Sequence, residues 1–155
     1  MRNQLERMLR AVLHVYWRWS RGLTLGVRAV VVDDDGRVFL VRHTYVRGWH
    51  LPGGGVEPGE TLDEALAREL REEGNIEIAQ PPVLHGVFFN QRASRRDHVA
   101  LYIVREFRQD AEPAPNYEII AHGFFAPDAL PDGVSRATRA RIAEVLGGAA
   151  VSEVW

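Results

Sequence analysis

Between Asn3 and Arg21 the apolar residues Leu5, Met8, Leu9, Val12, Leu13, Tyr16 and Trp19 recur at helical spacing, with Arg7, Arg10, His14, Arg18 and Arg21 opposite. This predicts a basic amphipathic helix, after which the period changes. "LGVRAVVV" (Leu25 to Val32) and "RVFLVRH" (Arg37 to His43) read as strands joined by the turn "DDDG" (Asp33 to Gly36), so a β-hairpin is expected. The acids of that turn serve turn chemistry, because no glycine-spaced calcium loop surrounds them. Leu62, Ala65, Leu66 and Leu70 restore the helical period from Thr61 to about Glu73. Thr61 and Glu64 are spaced as a capping box, and Gly74 and Asn75 can take the left-handed conformation that ends a helix. "VLHGVFFN" (Val83 to Asn90), "DHVALYIVREF" (Asp97 to Phe107) and "YEIIAHGFF" (Tyr117 to Phe125) are further strands, and Ser135 caps a last helix reaching Leu146. Strands interleaved with helices predict an α/β or α+β sandwich.

With 155 residues, 46% of them hydrophobic and 26% charged, the chain has the material for one globular domain with its own core. The expected organisation is an amphipathic helix over residues 1–22, one domain over 23–148 and a C-terminal tail over 149–155. Cysteine is absent, which removes disulfides, thiolate metal sites and a cysteine nucleophile. Arg7, Arg10 and His14 interrupt the apolar run a signal peptide needs, and no later segment approaches a membrane span, so a cytoplasmic protein is expected. A net charge of −2 gives no global attraction to nucleic acid, although the first thirty residues carry six arginines against Glu6 alone. The expected role of this helix is to pack its apolar stripe on the domain or on a twin subunit, giving a homodimer. A membrane surface or RNA phosphates are the other occupants considered.

The helix from Thr61 changes the picture further. Its apolar stripe is continued by Glu69 and Glu73, with Glu72 beside them, while Glu64, Arg68 and Arg71 point more outward. Clustered carboxylates repel and lose hydration when buried. In a helix's last turn they also face the negative end of the macrodipole, at a cost of about 0.3–1 kcal/mol each when exposed. Ion pairs at helical spacing, such as Arg68 with Glu64 or Glu72, return only about 0.2–0.5 kcal/mol each. A hard divalent cation such as Mg²⁺ or Mn²⁺ offsets the clustering better. The preceding "LPGGGVEPGE" leaves room for a backbone group to approach a metal or a phosphate.

Gly54, Glu60 after five residues, and after seven more Arg68, Glu69, Leu70, Arg71, Glu72, Glu73, Gly74, Asn75 and Ile76 form a pattern that resembles the box of the Nudix hydrolase family (MutT-like). It departs at one position, since the family usually has glycine where Asn75 stands; asparagine tolerates the left-handed conformation. "WHLPGG" and the strand order extend the resemblance to roughly Leu25 through Leu146. The resemblance implies the Nudix fold, an α/β/α sandwich around a mixed β-sheet, and Mg²⁺- or Mn²⁺-dependent hydrolysis of a nucleoside diphosphate linked to another moiety. It implies that Glu69, Glu72, Glu73 and the Gly53 carbonyl hold the metal and that Glu69 is also the candidate base. It further implies that Arg68 orients Glu69, that Glu60 supports the site, and that Glu118 corresponds to a later acid assisting metal or base in some members.

Outside the box, Arg42, Arg92, Arg95 and Arg96 are the candidate phosphate contacts. Trp49, Phe88, Phe89 and Tyr102 are aromatics able to stack a base, though strand aromatics usually belong to the core. The histidines show no compact ligand spacing and read as ordinary strand and loop residues. The expected protein is a small-molecule pyrophosphohydrolase acting on a nucleotide or nucleoside diphosphate derivative. Its alternatives are an RNA 5′ pyrophosphohydrolase and a non-catalytic nucleotide-binding module.

Overall fold

The computed structural model describes residues 10, 12–17, 19–114 and 117–155. Residues 12–17 and 19–20 are helical, and their apolar side chains are exposed, Tyr16 at 64% and Trp19 at 82%. At these positions the stripe does not pack on the domain, the first of the two partners expected for it; Leu5, Met8, Leu9, Arg7 and Arg18 lie outside the described residues. No helix among the described residues is long and apolar enough to cross a membrane.

The elements run β1 (Thr24–Val31), β2 (Val38–His43), α1 (Leu62–Gly74), β3 (Glu77–Ile78), β4 (Val83–Phe89), β5 (Asp97–Val104), β6 (Phe107–Arg108), β7 (Ile119–Phe125) and α2 (Arg136–Gly147). β5 lies between β1, its parallel partner, and β4, its antiparallel one, so this sheet is mixed. β2 pairs antiparallel with β7, and the two-residue strands β3 and β6 pair with each other.

The expected β1–β2 hairpin does not form; among the described residues a single bridge, Val32 to Val38, joins the two strands. Both edges of β1 are already taken. β5 lies along one, and along the other Val27 N–H donates to Gly54 O and Ala29 N–H to Pro52 O. The turn itself behaves as its acids predict: Asp33 Oδ1 accepts from the N–H groups of Asp35 and Arg37.

Alternation along β1 divides the core. Val27, Ala29 and Val31 pack with Ala65, Leu66 and Leu70 of α1, whereas Val30 and Val32 pack with Leu101, Phe88 and Ile142 of α2. β1 is thus covered on both faces, which is why its sequence reads as an almost unbroken apolar run. Each valine, leucine, isoleucine and phenylalanine among them contributes about 1.5–3 kcal/mol on burial. The result is an α/β/α sandwich, with the glycine segment before α1 laid along the edge of its central sheet.

Candidate active site

Thr61 caps α1 as its spacing predicts: Glu64 N–H donates to Thr61 Oγ1 at 3.2 Å, and Thr61 N–H donates to Glu64 Oε2 at 2.8 Å. At the other end Asn75 takes the left-handed conformation, φ 49°, and its N–H returns to Arg71 O at 3.0 Å. Its side chain adds a bond from Nδ2 to Ala111 O at 3.0 Å. Gly74 keeps a helical backbone; a Cβ there would lie 2.9 Å from Phe39 Cε1. Packing demands the glycine at 74, and backbone conformation demands the residue at 75.

Between these ends the helix carries the acids. Arg68 does not point outward as the wheel suggests. Its side chain folds back so that Nε and Nη2 donate to the two Glu60 oxygens at 2.8 and 3.0 Å. Nη1 donates to Glu69 Oε1 at 2.7 Å, and Nη2 also reaches Gly55 O at 3.1 Å. The long flexible stem of arginine permits this wrap, which a wheel drawn from Cβ positions cannot register. Arg68 holds the Glu60 carboxyl well below its usual range, at about 2. Burial pushes the Glu69 carboxyl up, against the hydrogen bond from Arg68, and the charges of Glu73 and Glu72 add to the rise.

Glu73 is buried and committed on both oxygens: Oε1 lies 2.6 Å from His43 Nε2, and Oε2 accepts the Gly53 N–H at 2.7 Å. Glu72 stands at the rim, its side chain 60% exposed and 3.7 Å from Arg68 Nη1. Gly53 has φ +133°, and a Cβ there would collide with the Val27 carbonyl, so the segment crosses β1 only as glycine. The carbonyls of Pro52 and Gly54 bond to β1 while the Gly53 N–H turns the other way, toward the helix.

Gly53, Arg68, Glu69, Glu72 and Glu73 line one cleft of about 550 Å³, which Glu118 also lines from just before β7, and Glu60 is tied to it through Arg68. The pairing of β2 with β7 slips between Arg42 and His43, and Thr44 N–H then donates to Glu118 O at 2.8 Å. Thus Gly53, Glu60, Arg68, Glu69, Glu72, Glu73 and Glu118 come together.

The four arginines proposed for phosphate do not line this cleft. Arg42 alternates away from His43 and lies 6.0 Å over the Trp49 ring, in a neighbouring pocket. Arg92 lines a groove against α2, and Arg95 and Arg96 are exposed in the β4–β5 loop. The cation in the cleft beside Arg68 is Arg28, whose Nη1 donates to Leu51 O at 2.9 Å. Its signal was a charged residue inside the buried run "VRAVVV". His43, Asn90, Asp97 and Trp155 were also missed, because their place depends on strand pairings far apart in sequence. Of the aromatics considered for stacking, Phe88 and Tyr102 are buried in the core.

The donor set suits a hard divalent cation. Several carboxylates face one cleft beside a glycine backbone, and their mutual repulsion is the kind a cation relieves. No three acidic or histidine side chains among the described residues stand gathered tightly enough to enclose an ion. Arg68 holds Glu69 and His43 holds Glu73, each through Oε1, so ion binding requires the carboxylates to draw closer together than these contacts place them.

The NUDIX domain model matches residues 22–146, and the chain belongs to the Nudix family. A MutT-like protein of Streptomyces ambofaciens is 31% identical over 126 residues, which are 81% of this chain and 79% of that protein. An RNA pyrophosphohydrolase of Halorhodospira halophila is 46% identical over 65 residues, 42% of this chain but only 36% of its own length, so the chain spans about a third of that relative. The crystal structure of a MutT NUDIX hydrolase from Burkholderia pseudomallei superposes with a TM-score of 0.67 at 29% identity, covering 79% of this chain and 97% of that one.

Proposed function

We propose that the chain is a divalent-metal-dependent pyrophosphohydrolase that cleaves the phosphoanhydride of a nucleotide or of a nucleoside diphosphate linked to another moiety. One observation carries this reading: Arg68, anchored by Glu60, holds Glu69 against a glycine backbone in a cleft that Glu72, Glu73 and Glu118 also line. Family membership and the relatives' names support it. Glu69, Glu72, Glu73 and the Gly53 carbonyl would hold Mg²⁺ or Mn²⁺, with Glu118 assisting. The bound ion would neutralise the pyrophosphate oxygens and acidify a water.

The chain's own residues supply the rest. Glu60 and Gly55 O clamp Arg68, and Arg68 holds Glu69 Oε1, which leaves Oε2 to take a proton from the attacking water. The water oxygen bonds to phosphorus, the phosphorus–oxygen bond to the leaving phosphate breaks, and the proton rests on Glu69. Arg28 offers a guanidinium to the phosphates from the cleft floor.

The test is phosphate and nucleotide release across a substrate panel with Mg²⁺ and with Mn²⁺. Glu69→Gln is expected to lower turnover by at least about 100-fold with the fold intact. Near-normal turnover of that variant removes Glu69 as the base, and no turnover on any substrate leaves a binding module. RNA 5′ ends are the second reading, supported by the H. halophila relative and by the exposed Tyr16 and Trp19 in a segment where Arg21 lies over the Trp17 ring. It requires a steep fall of activity on long RNA with rising salt, whereas activity indifferent to salt removes it.

A further inference from the structure

At the far side of the sheet from the glycine segment, Phe89 N–H donates to Glu153 O at 2.9 Å and Trp155 N–H donates to Phe89 O at 3.1 Å. Residues 153–155 therefore extend the sheet along the outer edge of β4. A buried ion pair fixes them there. Arg141, 2% exposed, donates to Glu144 Oε1 at 2.6 Å and to Val154 O at 3.0 Å, and the same Glu144 oxygen accepts the Ser152 N–H. Buried charges carry a desolvation cost, and this pair takes no part in the hydrolysis proposed above. What it does is hold the segment that carries Trp155.

The Trp155 ring stands edge-on to Phe88, with centroids 5.8 Å apart and planes at 72°. Phe88 belongs to the α2 side of the sheet, with Val30 and Leu101. By the two-residue alternation Arg28 and Val99 lie on that side too, and both line the acidic cleft, as does Trp155. From the glycine segment through β1, β5 and β4 to residues 153–155 there are four strand spacings, roughly 19 Å at ~4.8 Å each. The cleft thus has acids at one end, Arg28 between, and an indole at the other.

On the same cleft wall as Trp155, Asp97 accepts from Thr24 Oγ1 at 2.6 Å and from Asn90 Nδ2 at 2.8 Å. This fixes the Asn90 carboxamide while its oxygen and second N–H keep no partner among the described residues. An aromatic wall, an apolar floor and an amide edge offering both donor and acceptor match a heterocyclic base better than a sugar or polyol.

We infer that Trp155, Val99 and Asn90 form a nucleobase subsite at the end of the cleft remote from the glutamates, with Arg141 and Glu144 positioning the indole. For the phosphates this rests on the pyrophosphohydrolase reading; for the base it stands on the indole and its surroundings. The subsite selects diphosphates that carry an aromatic heterocycle.

Calorimetric titration of the full chain with adenosine 5′-monophosphate and with ribose 5-phosphate, both in chelator, tests it without turnover. The wild type is expected to bind the nucleotide at least about tenfold more tightly, the scale of one base–aromatic stack. Trp155→Leu, which retains an apolar contact with Phe88, is expected to erase that preference, and Trp155→Tyr to keep most of it. On ADP-ribose, Trp155→Leu is expected to raise KM by about tenfold with kcat within about twofold. Equal affinity of the wild type for the two probes overturns the subsite, as does a folded Trp155→Leu protein that keeps the preference. A chain that hydrolyses nothing but still prefers the nucleotide keeps the subsite and defeats the hydrolase reading.

Discussion

A Cβ built at Gly54 would land on the Glu69 carboxylate, whereas the Gly54 backbone has an ordinary φ that alanine can adopt. The position therefore separates chemistry from folding. In Gly54→Ala only the end of one side chain must move, so the melting temperature should change little. Glu69 is displaced from the geometry Arg68 gives it, and kcat/KM should fall by about 100-fold, the usual consequence of a misplacement near 1 Å. Thermal melts beside steady-state kinetics decide it, and an unchanged kcat/KM would remove the hold of Arg68 on Glu69 as the feature that carries the reading. Glu60 offers a second residue-scale test. Its carboxyl titrates near 2 in the folded chain against an ordinary 4.5, so its bond to Arg68 stabilises fully above pH 4.5 and loses that contribution as pH falls toward 2. Glu60→Gln should flatten this part of the acid limb of stability, which melts at several pH values would read. A Glu60→Gln protein with the same pH slope as the wild type would show that Arg68 does not lower the Glu60 pKa.

At the scale of elements, α1 explains both what the sequence made legible and what it hid. Its two ends were readable because capping is local: Thr61, Glu64 and Asn75 act on backbone groups within four residues. The β1–β2 hairpin was misread because the competitors for the edges of β1, Gly54 and β5, are distant in sequence and carry no mark of it. β3 and β6, with two residues each, are too short to show a period. The exchange of glycine and asparagine at the end of α1 now has separate causes, which predict separate outcomes. Gly74→Ala overpacks Phe39 and Ile76 and should cost about 1–3 kcal/mol. Asn75→Gly gives up one side-chain bond while relieving a left-handed φ, so the net change should stay within about 0.5 kcal/mol. Urea unfolding of both variants checks the pair. Equal losses would mean that backbone conformation, and not packing, governs both positions.

Across the whole molecule the two core clusters flank β1, and the cleft opens where the glycine segment, β1 and β5 meet the last residues of the chain. The acids of this cleft were legible, since Glu69 and Glu73 interrupt a helical stripe. Its far wall was not, because nothing local ties Trp155 to Leu25 or Asn90. The Arg141–Glu144 pair makes that tie, and its energetics follow from burial. Removing one partner strands the other charge, so Arg141→Met should cost about 3–5 kcal/mol. Replacing both by apolar residues removes the desolvation cost along with the attraction. It leaves the Ser152 N–H and His85, which lie on Glu144, to find other partners. Arg141→Met/Glu144→Leu should therefore recover stability relative to Arg141→Met while still releasing residues 152–155 from α2. Denaturant midpoints read the recovery, and the KM for a nucleotide substrate reads the release, which should rise in the double variant although its stability is restored. Should the double variant be as unstable as the single one, packing rather than the unpaired charge would set the cost. A KM that returned with stability would mean that Trp155 keeps its place without the pair.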